Sequence, residues 1–158
     1  MSLLDFEGHT LWSDQRTIDV AGLNSKSYLT VPLDTMLKGK DRKDVFVLSE
    51  LLVNGKRVSS NEHFFEPYKN LAVQRPQITA DAVRTPKGFK VTLSSDKFAR
   101  AVYLSIGSSA EKLAGFFTDN YFDLIPGKKV EVEFRTDAAT PALEFRDQLR
   151  IRSMVDAF

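Results

Sequence analysis

The sequence predicts an all-β chain built from antiparallel β-sandwiches, and three observations carry that prediction. Apolar and polar residues alternate with the period of a strand in short runs, as in Val45–Val53 and Val130–Phe134. Turn formers such as Asn54–Gly55, Thr85–Gly88 and Pro126–Gly127 separate those runs at short intervals. Almost no stretch repeats with the period of a helix. Strands of this length, so punctuated, bury themselves by packing sheet on sheet.

Taken in order, Leu3–Phe6 alternates weakly and meets a turn at Glu7–Gly8. Thr10–Val20 reads as a longer strand, with Ile18 and Val20 facing one way and Thr17 and Asp19 the other. Asn24–Val31 is a third candidate, setting Tyr28 and Thr30 against Leu29 and Val31. Pro32–Gly39 breaks the pattern. Pro32 suits the first turn of a short helix, Asp34 complements its dipole, and Gly39 stops it. Leu33, Met36 and Leu37 form its apolar face. The charged run Lys38–Lys43 (KGKDRK) is a solvated loop rather than a phosphate site.

Asp44–Glu66 is the clearest hairpin. Val45, Val47, Ser49, Leu51 and Val53 share one face; Phe46, Leu48, Glu50 and Leu52 share the other. Asn54–Gly55 then supplies two residues that tolerate the positive φ of a type I′ turn. The return strand runs from Lys56 to Phe65 and contains His63, read as a hydrogen-bonded structural residue. With His9 the only other histidine, no metal site is expected.

Pro67–Pro76 has prolines at both ends and little periodicity, which places a domain boundary there and gives domains 1–75 and 76–158. Beyond it, Gln77–Val83 is a strand, Thr85–Gly88 a turn and Phe89–Leu93 an alternating strand. Ala99–Ile106 is continuously apolar and therefore central. A small-residue loop covers Gly107–Gly115, Val130–Phe134 alternates, Pro141–Arg146 makes a turn or one helical turn, and Gln148–Met154 closes as a strand with Leu149, Ile151 and Ser153 inward. Two immunoglobulin-like β-sandwiches in tandem follow. The first half holds about five strands where such a sandwich usually has about seven. It is therefore expected to be truncated at its N-terminus, and its open edge to support self-association.

Phe116–Gly127 (FFTDNYFDLIPG) gathers aromatics, turn formers and acids more densely than any other stretch. It reads as a core strand bounded by two turns. An aromatic sugar-binding strip is disfavoured, because adjacent rings on a strand point to opposite faces.

Charge and composition exclude several functions. Over 158 residues, 22 basic and 21 acidic side chains nearly cancel, so no basic field exists to hold a nucleic acid. Cysteine is absent, which removes disulfides and thiolate metal sites. No apolar run approaches the roughly 20 residues of a membrane-spanning helix, and no signal peptide is visible. Met1–Ser2–Leu3 runs straight into strand-like sequence, and the chain is read as a fragment.

No catalytic constellation emerges. Neither histidine lies in a nucleophile motif, and Gly107–Ser108–Ser109 lacks the spacing and lysine of a phosphate loop. Glycoside hydrolysis needs two carboxylates about 5 to 9 Å apart. Asp119 and Asp123 on one strand would stand about 13 Å apart, too far. Glu131 and Glu133 would stand about 7 Å apart, but they alternate with Val130, Val132 and Phe134 as the wet face of a sheet does. Trp12 is read as core rather than as a sugar platform.

Val91–Gly107 (VTLSSDKFARAVYLSIG) followed by Gly115–Phe134 (GFFTDNYFDLIPGKKVEVEF) resembles the C-terminal immunoglobulin-like domain of β-mannosidases, in glycoside hydrolase family two. The LLDFEGHTLW start and the VFVLSELLVNGKRVSSNEHFFEP hairpin resemble the domain that precedes it. The resemblance implies a non-catalytic accessory region of an exo-acting retaining hydrolase of terminal β-D-mannose. Its partner would be an upstream catalytic (β/α)₈ barrel of the same polypeptide that carries the reactive glutamates, so no catalytic residue, cofactor or metal ligand transfers here. The sequence carries no address, and the resemblance leaves the parent's location open: family members occur in the periplasm, the lysosome and the cytoplasm, a periplasmic or otherwise extracytoplasmic parent being one of these. A carbohydrate-binding or cell-surface adhesion module is the alternative. Asp119, Asn120, Tyr121, Phe122, Asp123, Pro126 and Gly127 carry over as a structural family signature. Tyr121 is expected to be a corner tyrosine whose hydroxyl bonds backbone, Asp119 a turn cap, and Phe122 and Leu124 core.

Overall fold

The computed structural model describes residues 1–107 and 113–157. It forms two compact units, Met1–Val73 and Gln74–Phe158. Every strand pairing among the described residues is antiparallel, as the alternation predicted.

The first unit is one four-stranded sheet in the order β2-β1-β3-β4. Its strands are β1 (Ser2–Asp5), β2 (Thr10–Ser13), β3 (Val45–Val53) and β4 (Lys56–Phe64). The predicted helix is present as α1 (Leu33–Leu37), and its Met36 and Leu37 bury against Leu3, Val45 and Val47. On β3, residues of the opposite parity are buried too: Phe46 stacks between Phe6 and Phe64 at 5.6 and 5.7 Å. Asn54 and Gly55 take φ of 51° and 75°, as the hairpin reading required. β1 reaches only as far as Leu48, so beyond it β3 and β4 continue as a two-stranded ribbon. The tip of that ribbon exposes Leu51, Leu52, Val53 and Val58.

Two expected strands of this unit are corrected. Thr10–Val20 is a strand only to Ser13, and Asn24–Val31 is not a strand. Alternation describes which face a strand would bury, but a strand also needs a neighbouring ladder. Among the described residues β2 pairs with β1 alone, and residues 15–31 join no strand. Ile18, Val20 and Leu23 are exposed accordingly.

The second unit is a sandwich. One sheet runs β5-β6-β10-β8, from β5 (Ile78–Thr85), β6 (Gly88–Ser95), β10 (Val130–Arg135) and β8 (Phe116–Phe117). The other runs β11-β7-β9, from β11 (Leu149–Arg152), β7 (Ala99–Ile106) and β9 (Phe122–Leu124). Phe89, Val91, Leu93, Val132 and Phe134 of the first face Val102, Leu104 and Leu124 of the second in one core. The Pro141–Arg146 turn proves to be a longer helix, α2 (Ala142–Gln148). Its Phe145 enters that core and stacks on Phe89 at 4.1 Å. At Gly88 (φ +134°) an added Cβ would stand 2.0 Å from the Phe134 carbonyl oxygen, so only glycine lets β6 and β10 meet there.

β7 lies in the middle of its sheet, as its apolar run predicted, but it carries a break. The register with β9 shifts between Ala99 and Val102, and Ala101 has φ of +48°. The stretch from Phe116 is not one core strand. β8 pairs with β10 and β9 pairs with β7, so residues 118–121 carry the chain from one sheet to the other. Part of the loop expected over Gly107–Gly115 lies outside the described residues.

Candidate functional site

The crossover at 118–121 is where the chemistry-bearing residues of the second unit gather. Thr118 ends β8 by exchanging bonds with Glu133: its N–H donates to the Glu133 carbonyl at 2.8 Å, and its hydroxyl accepts from the Glu133 N–H at 3.1 Å. Asp119 then accepts the Asn120 N–H at 2.8 Å, as a turn residue does. The Asn120 side chain reaches β7. Its Oδ1 accepts from the Leu104 N–H at 2.6 Å, and its Nδ2 donates to the Leu104 carbonyl at 3.1 Å.

Tyr121 follows with φ of +62°, and its N–H donates to the Val102 carbonyl at 2.7 Å. The expectation of a corner tyrosine is overturned. Its side chain is 69% exposed, and its hydroxyl has no hydrogen-bond partner among the described residues. The left-handed backbone turns the ring onto the outer surface of β7, where it stacks on Tyr103 with centroids 5.2 Å apart and planes 27° apart. Asn120, not Tyr121, ties the crossover to the strand.

Beyond it, Leu124 is buried and Phe122 packs half-buried against the core. Asp123 bonds the strained break in β7: its Oδ1 accepts the Ala101 N–H at 2.7 Å. Burial pushes this carboxyl above its ordinary range, against the pull of that N–H and of the Arg100 charge. Pro126 and Gly127 (φ +76°) make a type II turn closed by the Lys128 N–H on the Ile125 carbonyl at 3.0 Å. Phe116 points outward and Phe117 inward onto Phe134 at 4.8 Å, the opposed pair that adjacency required.

The two acids of β10, Glu131 and Glu133, are paired at the surface. Glu131 accepts from Lys90 across the strands at 3.0 Å, and Glu133 accepts two bonds from Arg135 at 3.2 Å. Trp12 lies half-buried against the Leu3 and Val45 cluster, in the place a core tryptophan takes. His63 is exposed and meets the Phe65 ring edge-on at 5.3 Å.

One cluster escaped the sequence reading. Asp5, Glu7 and His9 each offer a ligand atom within 4.8 Å of the others. The Asp-x-Glu-x-His spacing across a tight turn was the signal. Asp5 Oδ1 accepts from the Glu7 and His9 N–H groups, and its Oδ2 meets His9 Nδ1 at 2.9 Å. Those bonds, formed in an exposed turn, explain the arrangement as local backbone capping. They also raise the His9 pKa, chiefly through the side-chain bond to Asp5.

Residues 73–157 match a family model described as an Ig-fold domain, Ig_mannosidase. Residues 1–70 match the one described as a Mannosidase Ig/CBM-like domain. Curated proteins compared by sequence give no match. Among solved structures, a β-D-mannosidase from Dictyoglomus thermophilum shares the fold, with a TM-score of 0.71 at 16% identity over 97% of this chain. The chain spans 18% of that protein's length. With one model covering more than half of its residues and a second covering the rest of its strands, the chain belongs to the mannosidase immunoglobulin-fold family, as two such domains in tandem.

Proposed function

We propose that this chain is the non-catalytic C-terminal accessory region of a β-mannosidase. It packs against and supports a catalytic (β/α)₈ barrel elsewhere in the same polypeptide. The domain limits of 1–75 and 76–158, the first an incomplete immunoglobulin-like sandwich, belong to the same proposal. The observation that carries it is the tandem family match, Mannosidase Ig/CBM-like domain followed by Ig-fold domain. The occupied surface acids support it, since Glu131 and Glu133 are held by Lys90 and Arg135 rather than facing each other across a cleft.

The test is to express the parent polypeptide with and without residues 1–158. Loss of the accessory region is expected to lower the thermal midpoint of the barrel and its hydrolysis of an aryl β-mannoside. A barrel equally stable and equally active without these residues contradicts the reading.

A further inference from the structure

We propose that residues 27–31 receive a β-strand from the parent polypeptide outside residues 1–158, which starts a second sheet over the first unit. The backbone gives the first reason. Residues 15–31 join no strand and make no backbone–backbone hydrogen bond among the described residues. Stretches beyond about 15 residues without structure of their own are uncommon inside compact domains. Burial nevertheless follows a strand. Leu29, Val31 and Leu33 are half-buried, while Thr30 and Pro32 between them are exposed. That period of two belongs to an extended chain with one side laid inward. Val31 and Leu33 pack on the cluster of Leu3, Val45 and Val47. The side chains have a seat, and the backbone has no neighbour. The Tyr28 hydroxyl is shut away from solvent with no hydrogen-bond partner among the described residues, a cost that a completed setting avoids.

The second reason is the sheet face beneath. Trp12, Leu3 and Val47 pair across β2, β1 and β3, so their side chains share one face. By alternation Ser49, Leu51 and Val53 of β3 lie on it as well. Its cover runs out along that strand: Val45 and Val47 are buried, whereas Leu51 is 45% and Val53 53% exposed. An apolar sheet face needs a second layer, and α1 with Val31 and Leu33 supplies only the part over Leu3, Val45 and Val47. The occupant follows. It must bring backbone donors and acceptors along one edge and an apolar residue at every second position, which is what an added strand does. The chain spans 18% of the β-D-mannosidase that shares its fold, so under the accessory-region reading most of the polypeptide lies outside these residues. A strand tethered in the same polypeptide acts at a high effective concentration that a second copy in dilute solution does not match.

The experiment is amide hydrogen exchange on the chain alone and on the parent polypeptide that contains it, with Ser27→Pro and Thr30→Pro made in both. In the chain alone the amides of 27–31 are expected to exchange freely. Neither variant should move its thermal midpoint, since no ladder bond is there to lose. In the parent the same amides are expected to slow by at least about a hundredfold. Strand amides point alternately to the two edges, and positions 27 and 30 differ in parity. One of the two variants is therefore expected to lower the parent's midpoint whichever edge is taken. Exchange in the parent as free as in the chain alone overturns the inference. Protection in the parent that neither proline weakens marks a contact other than a ladder and overturns it as well. Protection in the chain alone that grows with concentration makes the donor a second copy, which also contradicts it. The inference rests on the accessory-region reading and fails separately from it: removal of residues 1–158 tests that reading on the barrel, and exchange at 27–31 tests this one.

Discussion

The side-chain amide of Asn120 lies on the backbone of Leu104 as a neighbouring strand would, accepting from its N–H at 2.6 Å and donating to its carbonyl at 3.1 Å. One residue of the crossover thereby satisfies both backbone groups of a buried strand residue, where β9 has not yet begun. The chain can leave one sheet and join the other without orphaning the strand it joins.

Asn120→Ala is therefore expected to destabilise the second unit by about 2 to 4 kcal/mol, since it leaves a buried donor and acceptor unpaired. Chemical denaturation of the variant, with the slope unchanged, checks this. Asn120→Asp keeps the acceptor and loses the donor to the Leu104 carbonyl, so its midpoint should fall between the two.

At Tyr121 the expected sign is the opposite. Tyr121→Asn should stabilise the chain by about 1 kcal/mol, because it relieves the positive φ and surrenders only an exposed stack. Tyr121→Phe should leave the midpoint unchanged, since the hydroxyl holds nothing among the described residues. A marked loss in the phenylalanine variant would restore the corner role.

Asp123 sets a pH dependence. Its carboxyl is raised above the ordinary value of 3.8 by burial, so the folded chain takes up its proton before the unfolded chain does. Its contribution to stability should therefore grow as pH falls from its raised value toward 3.8, and be smallest above that window. Asp123→Asn keeps an acceptor for the Ala101 N–H and removes the titration. Thermal midpoints measured across this pH range should lose that rise on acidification in the variant alone.

The outer edge of β4 makes a prediction about copies of the chain. β4 ends its sheet, and its ribbon with β3 exposes Leu51, Leu52, Val53 and Val58 at the tip. Self-association that rises with concentration, and is abolished by Leu52→Glu, is expected in sedimentation. A constant monomer mass over the whole concentration range would refute it.

What could be read from the sequence was what neighbours in sequence decide. The β3–β4 hairpin was visible because Asn54–Gly55 specifies its own turn and the flanking residues alternate. The β6–β10 pairing was visible in part, as two alternating runs. Between Asp14 and Val31 the same alternation misled, since a ladder partner lies elsewhere in the chain or not at all. The role of Asn120 was hidden for a related reason: Leu104 is 16 residues away, and nothing in DNYFD names the strand it will bond. Tyr121 was misassigned because a positive φ at a tyrosine leaves no trace in composition. Asp5, Glu7 and His9 were legible in spacing and passed over.

The central proposal is that Glu131 and Glu133, paired with Lys90 and Arg135 on the wet face of a sheet, do no chemistry on a sugar. The direct measurement is incubation of the chain alone with an aryl β-D-mannoside while following release of the aryl alcohol. Release no faster than in buffer is predicted. Release that saturates with substrate and disappears in Glu131→Gln or Glu133→Gln would contradict it.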